Sequence, residues 1–334
     1  MVKERKSEKV VLDKNRVLTN FFDDIEVGES ISYKALQLFP VYKGTTMRFN
    51  LKTLAEAIES GIVEIKETGV VKEIEIINKS NDTKILIMEG DIVKGGAQNR
   101  IINTSMILDE NSKVKVPCSC VQQHRWSGFD KPFKEYKHSS PKFGYELNES
   151  VNKQMLSSRG SSCYMADQSE IWNNVNSVLL CVDSQDNSKD YTDAYEVQKD
   201  KIEEYKKAFK EQLPIKDKNF AGLVIVVGSI CKADICGDNE IFKVHLEGLL
   251  EGCYLDAVNT SKTDKMELKE VTNFLNDIPR LDIEEFDTPN KNAKNLIFKK
   301  GNIEGNALIN KGDELVHINA FLDRSEPIGN PDRK

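Results

Sequence analysis

Three short polar clusters hold most of the side chains in this sequence that could bind or transform a ligand. The first cluster, residues 89–100, contains the adjacent Gly95 and Gly96, which let a backbone approach a ligand closely because glycine has no Cβ. Its other candidates are the amides of Gln98 and Asn99, the planar cation of Arg100 and the carboxylate of Asp91. No Gly-Lys-Ser/Thr ends the cluster, so it differs from a Walker loop, and a hairpin with a polar tip is the alternative interpretation.

The second cluster, residues 117–126, brings together four chemically distinct side chains. Arg125 could hold an anion, Trp126 could stack on a flat ring, and His124 could transfer a proton. Cys120 could act as a nucleophile only if its pKa were lowered, and a small buried side chain is the alternative. The cluster therefore predicts anion binding, with catalysis as a second hypothesis.

The third cluster, residues 166–172, opens a predicted helix. Asp167 is either the N-cap of that helix or a catalytic carboxylate, and Gln168 is a further ligand-binding candidate. The four histidines show no local spacing such as His-Glu-x-x-His, so the sequence predicts no metal site and no cofactor. His317, between Val316 and Ile318 in a predicted strand, is interpreted as structural.

Composition narrows the class of protein. The chain has 334 residues, with 47 Lys and Arg against 54 Asp and Glu, a net charge of −7. This balance argues against a general nucleic-acid or membrane-surface binder, and no apolar run reaches the roughly 18 residues of a membrane span. Seven scattered cysteines are typical of reduced thiols in the cytoplasm. We expect a cytoplasmic protein with a small anionic partner, and leave open whether it forms a homo-oligomer.

The elements that must position these clusters indicate an α+β fold. The β-rich N-terminal part includes a short helix at 53–60, where Thr53 and Glu56 form a capping box. A helix-containing middle and a β return at the C-terminus follow. The predicted middle and C-terminal elements are helices over 166–178, 199–213, 240–258 and 265–276, and strands over 221–227, 295–298, 307–309 and 315–321.

The predicted organisation has four parts: an arm over 1–29, a β-rich part carrying the polar clusters over 30–156, an α/β part over 163–322 and a tail over 323–334. The polar segment 127–159 predicts a long functional loop or a partly disordered insert.

The three clusters together, in this order, resemble a known family. Gly90-Asp91 with Gly95 to Arg100, Pro117 to Trp126, and Ala166 to Trp172 are similar to segments of the ARG and rhodanese-phosphatase-superfamily-associated protein domain. Segments near Gly222 and Val316 to Phe321 extend the resemblance over about residues 30–322, so the strands at both ends are expected to share one sheet system.

The resemblance implies an ADP-ribose, NAD-derived or related nucleotide ligand, in a stress or phage-defence context, because the family is named for its association with ADP-ribosylglycohydrolases and rhodanese-phosphatases. Gln122 stands where the family tends to have Glu, and an amide cannot ionise, which favours binding over catalysis. The alternatives are a hydrolase or transferase using Asp91 or Asp167, with His124 or Cys120 as further candidates, and an interaction protein without catalysis.

Overall fold

A computed structural model describes residues 14–128, 131–158, 164–261 and 263–325. Over these residues the chain forms eighteen strands and eight α-helices, which confirms the predicted α+β class. The strands β1 to β18 are Ile25–Val27, Ile31–Tyr33, Leu36–Lys43, Leu51–Thr53, Val63–Glu67, Glu73–Asn78, Lys84–Ile87, Asp91–Lys94, Arg100–Ile102, Met106–Leu108, Lys113–Cys120, Glu135–His138, Phe220–Val227, Ile230–Cys236, Ile283–Asp287, Ala293–Lys300, Ile303–Asn310 and Leu315–Asp323. The helices α1 to α8 are Lys14–Phe22, Leu54–Glu59, Pro141–Ser157, Gln168–Cys181, Asp193–Val197, Lys199–Phe209, Asn239–Asn259 and Leu268–Asp277, and α8 runs into a 3₁₀ helix at Ile278–Arg280.

The largest sheet joins the two ends of the chain, as the sequence predicts. Its order is β1-β3-β13-β14-β18-β17-β16-β15, with β2 also paired to β3, and all of these neighbours are antiparallel. Every residue of β13 and β14 is buried, because these central strands have apolar layers on both faces. Polar side chains in β14 therefore point into a dry interior.

Of the two smaller sheets, the six-stranded one carries the first and second clusters. One has the order β12-β8-β9-β11-β6-β5, and the other has the order β10-β7-β4 with β4 parallel to β7. Helix α7 lies against β13, β14, β12 and β4, so it bridges all three sheets.

The prediction of a long loop or disordered insert over 127–159 is wrong for most of its length. Strand β12 and the 17-residue helix α3 occupy it. Ser140 caps α3 by accepting from the backbone N–H of Phe143, and Pro141 at the first helical position already has the required φ. A buried apolar stripe packs the helix against the core. Its residues recur every four positions and are Phe143, Leu147, Val151 and Met155.

Several local predictions are confirmed by the structure. The Thr53 hydroxyl accepts from the Glu56 amide while the Glu56 carboxylate accepts from Thr53, as a capping box requires. Helices α4, α6, α7 and α8 occupy four segments predicted as helical. In the predicted arm and tail, residues 14–29 form α1 and β1, β18 continues to Asp323, and residues 1–13 and 326–334 lie outside the described residues. No described helix is long and apolar enough to cross a membrane.

Candidate functional site

The first cluster is a turn between β8 and β9 that binds mainly to its own chain. Gly95 has φ 143° and Gly96 has φ 51°, and a Cβ at either position would collide with the 132–133 segment. Gln98 Nε2 donates to the carbonyl of Gln122 at 2.6 Å, and Asn99 Nδ2 donates to the Asp190 carboxylate at 2.8 Å. The two glycines and two amides thus close the loop on neighbouring segments.

Arg100 is fully buried in an ion pair with Glu67. Its Nη2 lies 3.0 Å and 3.2 Å from the two carboxylate oxygens of Glu67, and its Nη1 contacts Cys120 Sγ. The Trp126 ring lies 5.5 Å from the guanidinium carbon. The Arg100 charge is therefore already compensated inside the chain.

Arg125 is held by five oxygen atoms, which belong to Gln122, Gly96, Gly95, Asn99 and Ser127. Its guanidinium donates to the carbonyls of Gly96 at 2.7 Å and Gly95 at 3.0 Å, and to Gln122 Oε1 at 2.5 Å. Gln122, at the position where a glutamate was expected, therefore positions this arginine. The two arginines predicted to hold phosphate bind groups of the protein.

The third cluster joins α4 to β11. Asp167 Oδ1 accepts from the backbone N–H of Ser169 at 2.8 Å, which confirms the N-cap interpretation. Gln168 exchanges two hydrogen bonds of 2.9 Å with the backbone of Cys120, and burial raises the pKa of the Cys120 thiol to about 11. A thiol with a raised pKa is a poor nucleophile at neutral pH.

Two candidates of the second cluster lie at the surface. His124 is exposed, with its Nδ1 3.0 Å from the carbonyl of Asn187. Trp126 is 45% exposed. These rings are the parts of the second cluster that an external ligand could reach.

Asp91 belongs to a different hydrogen-bond network from the two arginines. Its Oδ1 accepts from the Tyr136 hydroxyl at 2.8 Å and lies 3.3 Å from His138 Nδ1, and its Oδ2 accepts from the Met88 amide at 2.9 Å. Burial raises the pKa of Asp91 to about 6, although these donors oppose the shift. It is the predicted catalytic residue that the structure places beside histidines.

Asp234 on β14 is the second carboxylate of this region. His317 Nε2 lies 3.0 Å from its Oδ1, His245 Nε2 lies 3.6 Å from the same oxygen, and Lys232 Nζ lies 3.0 Å from Oδ2. The His138 and His245 rings meet edge to face with centroids 4.7 Å apart. We define the buried His/Asp centre as Asp91, His138, Asp234, His245 and His317, all at most 3% exposed.

In the buried His/Asp centre, the surroundings favour the ionised form of Asp234 and the neutral form of His138. Burial opposes ionisation of Asp234, but Lys232, His317 and His245 outweigh burial and hold the pKa of Asp234 well below its ordinary value. Burial, followed by the neighbouring His245, lowers the pKa of His138 well below 6.5. At neutral pH His138 is therefore an uncharged ring with a free lone pair.

Sequence reasoning missed this centre because its members come from five elements, β8, β12, β14, α7 and β18. Three of the four histidines meet there, whereas the histidine chosen from the sequence, His124, lies elsewhere. A signal was present: His245 occupies the buried stripe of α7 beside Phe242 and Leu249, and Asp234 interrupts an apolar strand. Polar residues on apolar faces need buried partners, so two of them on separate elements point to a shared polar centre.

A cavity of about 560 Å³ lies next to the centre, between α6, α7 and β12. Its wall includes Tyr136, whose hydroxyl reaches Asp91 on the other side. Gly248 lets α7 approach this wall, since a Cβ there would lie 3.1 Å from Tyr136 Cε1 and 3.5 Å from His138 Cβ. The cavity has an apolar and aromatic floor of Ile202, Leu246, Leu250 and Tyr254, and a charged rim of Lys137, Lys206, Lys210, Lys243, Glu203, Glu247 and Glu251.

Comparison with known protein families matches residues 24–321 to the ARG and Rhodanese-Phosphatase-superfamily-associated Protein domain. No curated protein and no solved structure matches the chain.

Proposed function

We propose that this chain, which belongs to the ARG and Rhodanese-Phosphatase-superfamily-associated Protein domain family, binds a small anionic ligand of nucleotide type in the cavity between α6 and α7. The observation that carries the proposal is the position of Tyr136, which lines the cavity and donates to buried Asp91 at 2.8 Å. A ligand in the cavity would therefore sit one side chain away from the buried His/Asp centre.

The chemistry of the cavity supports a ligand with one flat apolar part and one anionic part. Leu246, Leu250 and Tyr254 line the cavity with apolar atoms that the edge of a base or nicotinamide ring would contact, and apolar walls with a few polar groups are typical of small-molecule sites. Four rim lysines face three rim glutamates, which leaves a net positive rim. Half-buried Lys137 binds Glu251 at 2.6 Å and exposed Lys206 binds Glu247 at 3.1 Å, and an incoming phosphate would compete with these glutamates for the ammonium groups.

The proposed ligand site is the cavity between α6 and α7, whereas the sequence favours a site at Arg100 and Arg125. The difference has a physical reason. A guanidinium that already donates to carboxylate or carbonyl oxygens must lose those bonds before it can hold a phosphate. Arg100 and Arg125 both have such partners inside the protein, whereas Lys206 and Lys210 of the rim are exposed to solvent.

A hydrolase or transferase acting on the same ligand class is the second candidate function. It is favoured by Asp91, whose pKa is raised to about 6 and whose carboxylate adjoins His138 and Tyr136. A carboxyl group titrating near neutral pH suits general acid–base catalysis. Product formation distinguishes this function from binding alone.

The test is calorimetric titration with ADP-ribose and with NAD, followed by chromatography of the incubated ligand. Lys210→Glu should weaken binding by about 10-fold, a loss of about 1.4 kcal/mol. Lys207→Glu is the matched control, since Lys207 is equally exposed on α6 but does not line the cavity. Trp126→Ala tests the exposed ring of the second cluster as an alternative site.

Loss of affinity in Lys210→Glu but not in Lys207→Glu supports the cavity. Loss in Trp126→Ala alone would move the ligand to the second cluster and refute the proposed position. A product in the chromatogram that disappears in Asp91→Asn supports the enzyme. Absence of binding by every probe leaves the structural role as the remaining hypothesis.

A further inference from the structure

The buried His/Asp centre contains a group of side chains with the composition of a metal site. His138 on β12, Asp234 on β14 and His245 on α7 present ligand atoms that all lie within 4.8 Å of one another. Bonds of about 2.1 Å to a tetrahedral ion would place such atoms about 3.4 Å apart, so a small inward movement of the side chains forms the site. Two imidazoles and one carboxylate are a common donor set for divalent first-row transition metals.

Three of the four imidazole nitrogens of His138 and His245 have no hydrogen-bond partner among the described residues. His138 Nε2 and both ring nitrogens of His245 are buried without a hydrogen-bond partner. Burying an unpaired polar atom costs free energy, and protein interiors rarely leave several together. A cation bound between these rings would accept one lone pair from each ring and remove part of this cost.

Asp91 fixes the orientation that metal binding requires of His138. Its Oδ1 lies 3.3 Å from His138 Nδ1, which places the ring proton on Nδ1 and the lone pair on Nε2. A carboxylate behind a histidine is the usual support of a metal-binding imidazole. His317 has the same relation to Asp234, since its Nε2 donates to Oδ1 at 3.0 Å.

The charge balance also suits a divalent ion. Asp91 and Asp234 bring two carboxylates, and Lys232, whose ammonium lies 3.0 Å from Oδ2 of Asp234, supplies one permanent positive charge. A divalent ion would add positive charge beside two carboxylates in a dry interior, where an unpaired anion is costly. Spacing along the sequence does not reveal this group, because its three ligands come from separate elements.

We propose that His138, Asp234 and His245 bind a divalent transition-metal ion such as Zn²⁺ or Co²⁺. Three protein ligands leave one coordination position for water or another small ligand, as in catalytic rather than structural sites. The proposal is independent of nucleotide binding.

The experiment treats the whole chain with a chelator, removes the chelator and titrates Co²⁺ while recording the visible absorption of the protein. The expected result is one Co²⁺ per chain, with the intense d–d bands of a four-coordinate ion, displaced by Zn²⁺. His245→Gln and His138→Gln should each weaken binding by more than about 100-fold, because loss of outer-shell partners alone changes metal affinity 10–100-fold.

His124→Gln is the control, since this exposed histidine lies outside the buried His/Asp centre. His124→Gln should bind Co²⁺ as tightly as the unaltered chain does. Zn²⁺ should raise the melting temperatures of the unaltered chain and of His124→Gln alike. Absence of stoichiometric binding by the unaltered chain would overturn the proposal even if a variant failed to fold. Binding that survives in both His138→Gln and His245→Gln would overturn it as well. No nucleotide is used, so failure here is separate from failure of the cavity proposal.

Discussion

Neutralising Glu67 should destabilise the protein strongly, because Glu67 compensates the buried charge of Arg100. Glu67 Oε1 accepts a hydrogen bond of 2.9 Å from the backbone N–H of Ala97. Glu67→Gln keeps the size of the side chain and an oxygen for this bond. It removes the negative charge 3.0 Å from a guanidinium that is 0% exposed. Because a buried charge without a counter-charge is costly, breaking such a pair lowers the free energy of unfolding by about 3–5 kcal/mol.

The expected change in melting temperature follows from the size of the chain. At about 2.1 cal/mol/K per residue, 334 residues give an unfolding entropy of about 0.7 kcal/mol/K. A loss of 3–5 kcal/mol therefore lowers the melting temperature by about 4–7 °C, which scanning calorimetry measures directly.

Glu73→Gln is the matched control for this experiment. Glu73 binds Lys115 at 2.6 Å, but the two side chains are 25% and 63% exposed. Exposed pairs contribute about 0–1 kcal/mol, so the control should change the melting temperature by less than about 1.5 °C. Equal, small effects of Glu67→Gln and Glu73→Gln would refute the structural role of the Arg100 pair and make its guanidinium available for a ligand.

Two further predictions concern a buried carboxyl group and a helix cap. Glu89 accepts hydrogen bonds from Asn148 and Asn306, and burial raises its pKa from 4.5 to about 7. Between these pH values the folded state retains a proton that the unfolded chain releases. The free energy of unfolding therefore falls as the pH rises from about 4.5 to about 7. The stability of Glu89→Gln relative to the unaltered chain should therefore rise by about 2–3 kcal/mol between pH 5 and pH 8, as measured by urea unfolding, and an equal difference at both pH values would contradict the assigned proton. Asp167→Ala should cost about 1 kcal/mol in the same assay and Asp167→Ser almost nothing, because a hydroxyl can also cap α4; equal losses in both variants would show that Asp167 does more than cap the helix.

Local sequence rules succeeded wherever one element satisfied its own needs. The capping box at Thr53, the N-cap at Asp167 and the apolar run of β13 each require only neighbouring residues to be recognised. The segment at 127–159 was misread because its many polar residues hid a helix start at Ser140-Pro141 and a four-residue apolar repeat. The polar composition of the segment reflects the exposed face of α3, whereas the four-residue spacing of its apolar residues indicates the buried face.

The sequence by itself determined the α+β class, most of the helices and the family, because periodicity, caps and ordered motifs are properties of contiguous residues. Only the tertiary structure decided what the polar residues do. It paired Arg100 with Glu67 and Arg125 with backbone carbonyls, and it brought His138, Asp234 and His245 from three elements to within 4.8 Å. Contacts between residues far apart in the chain depend on strand order and helix packing, which spacing along the sequence does not encode.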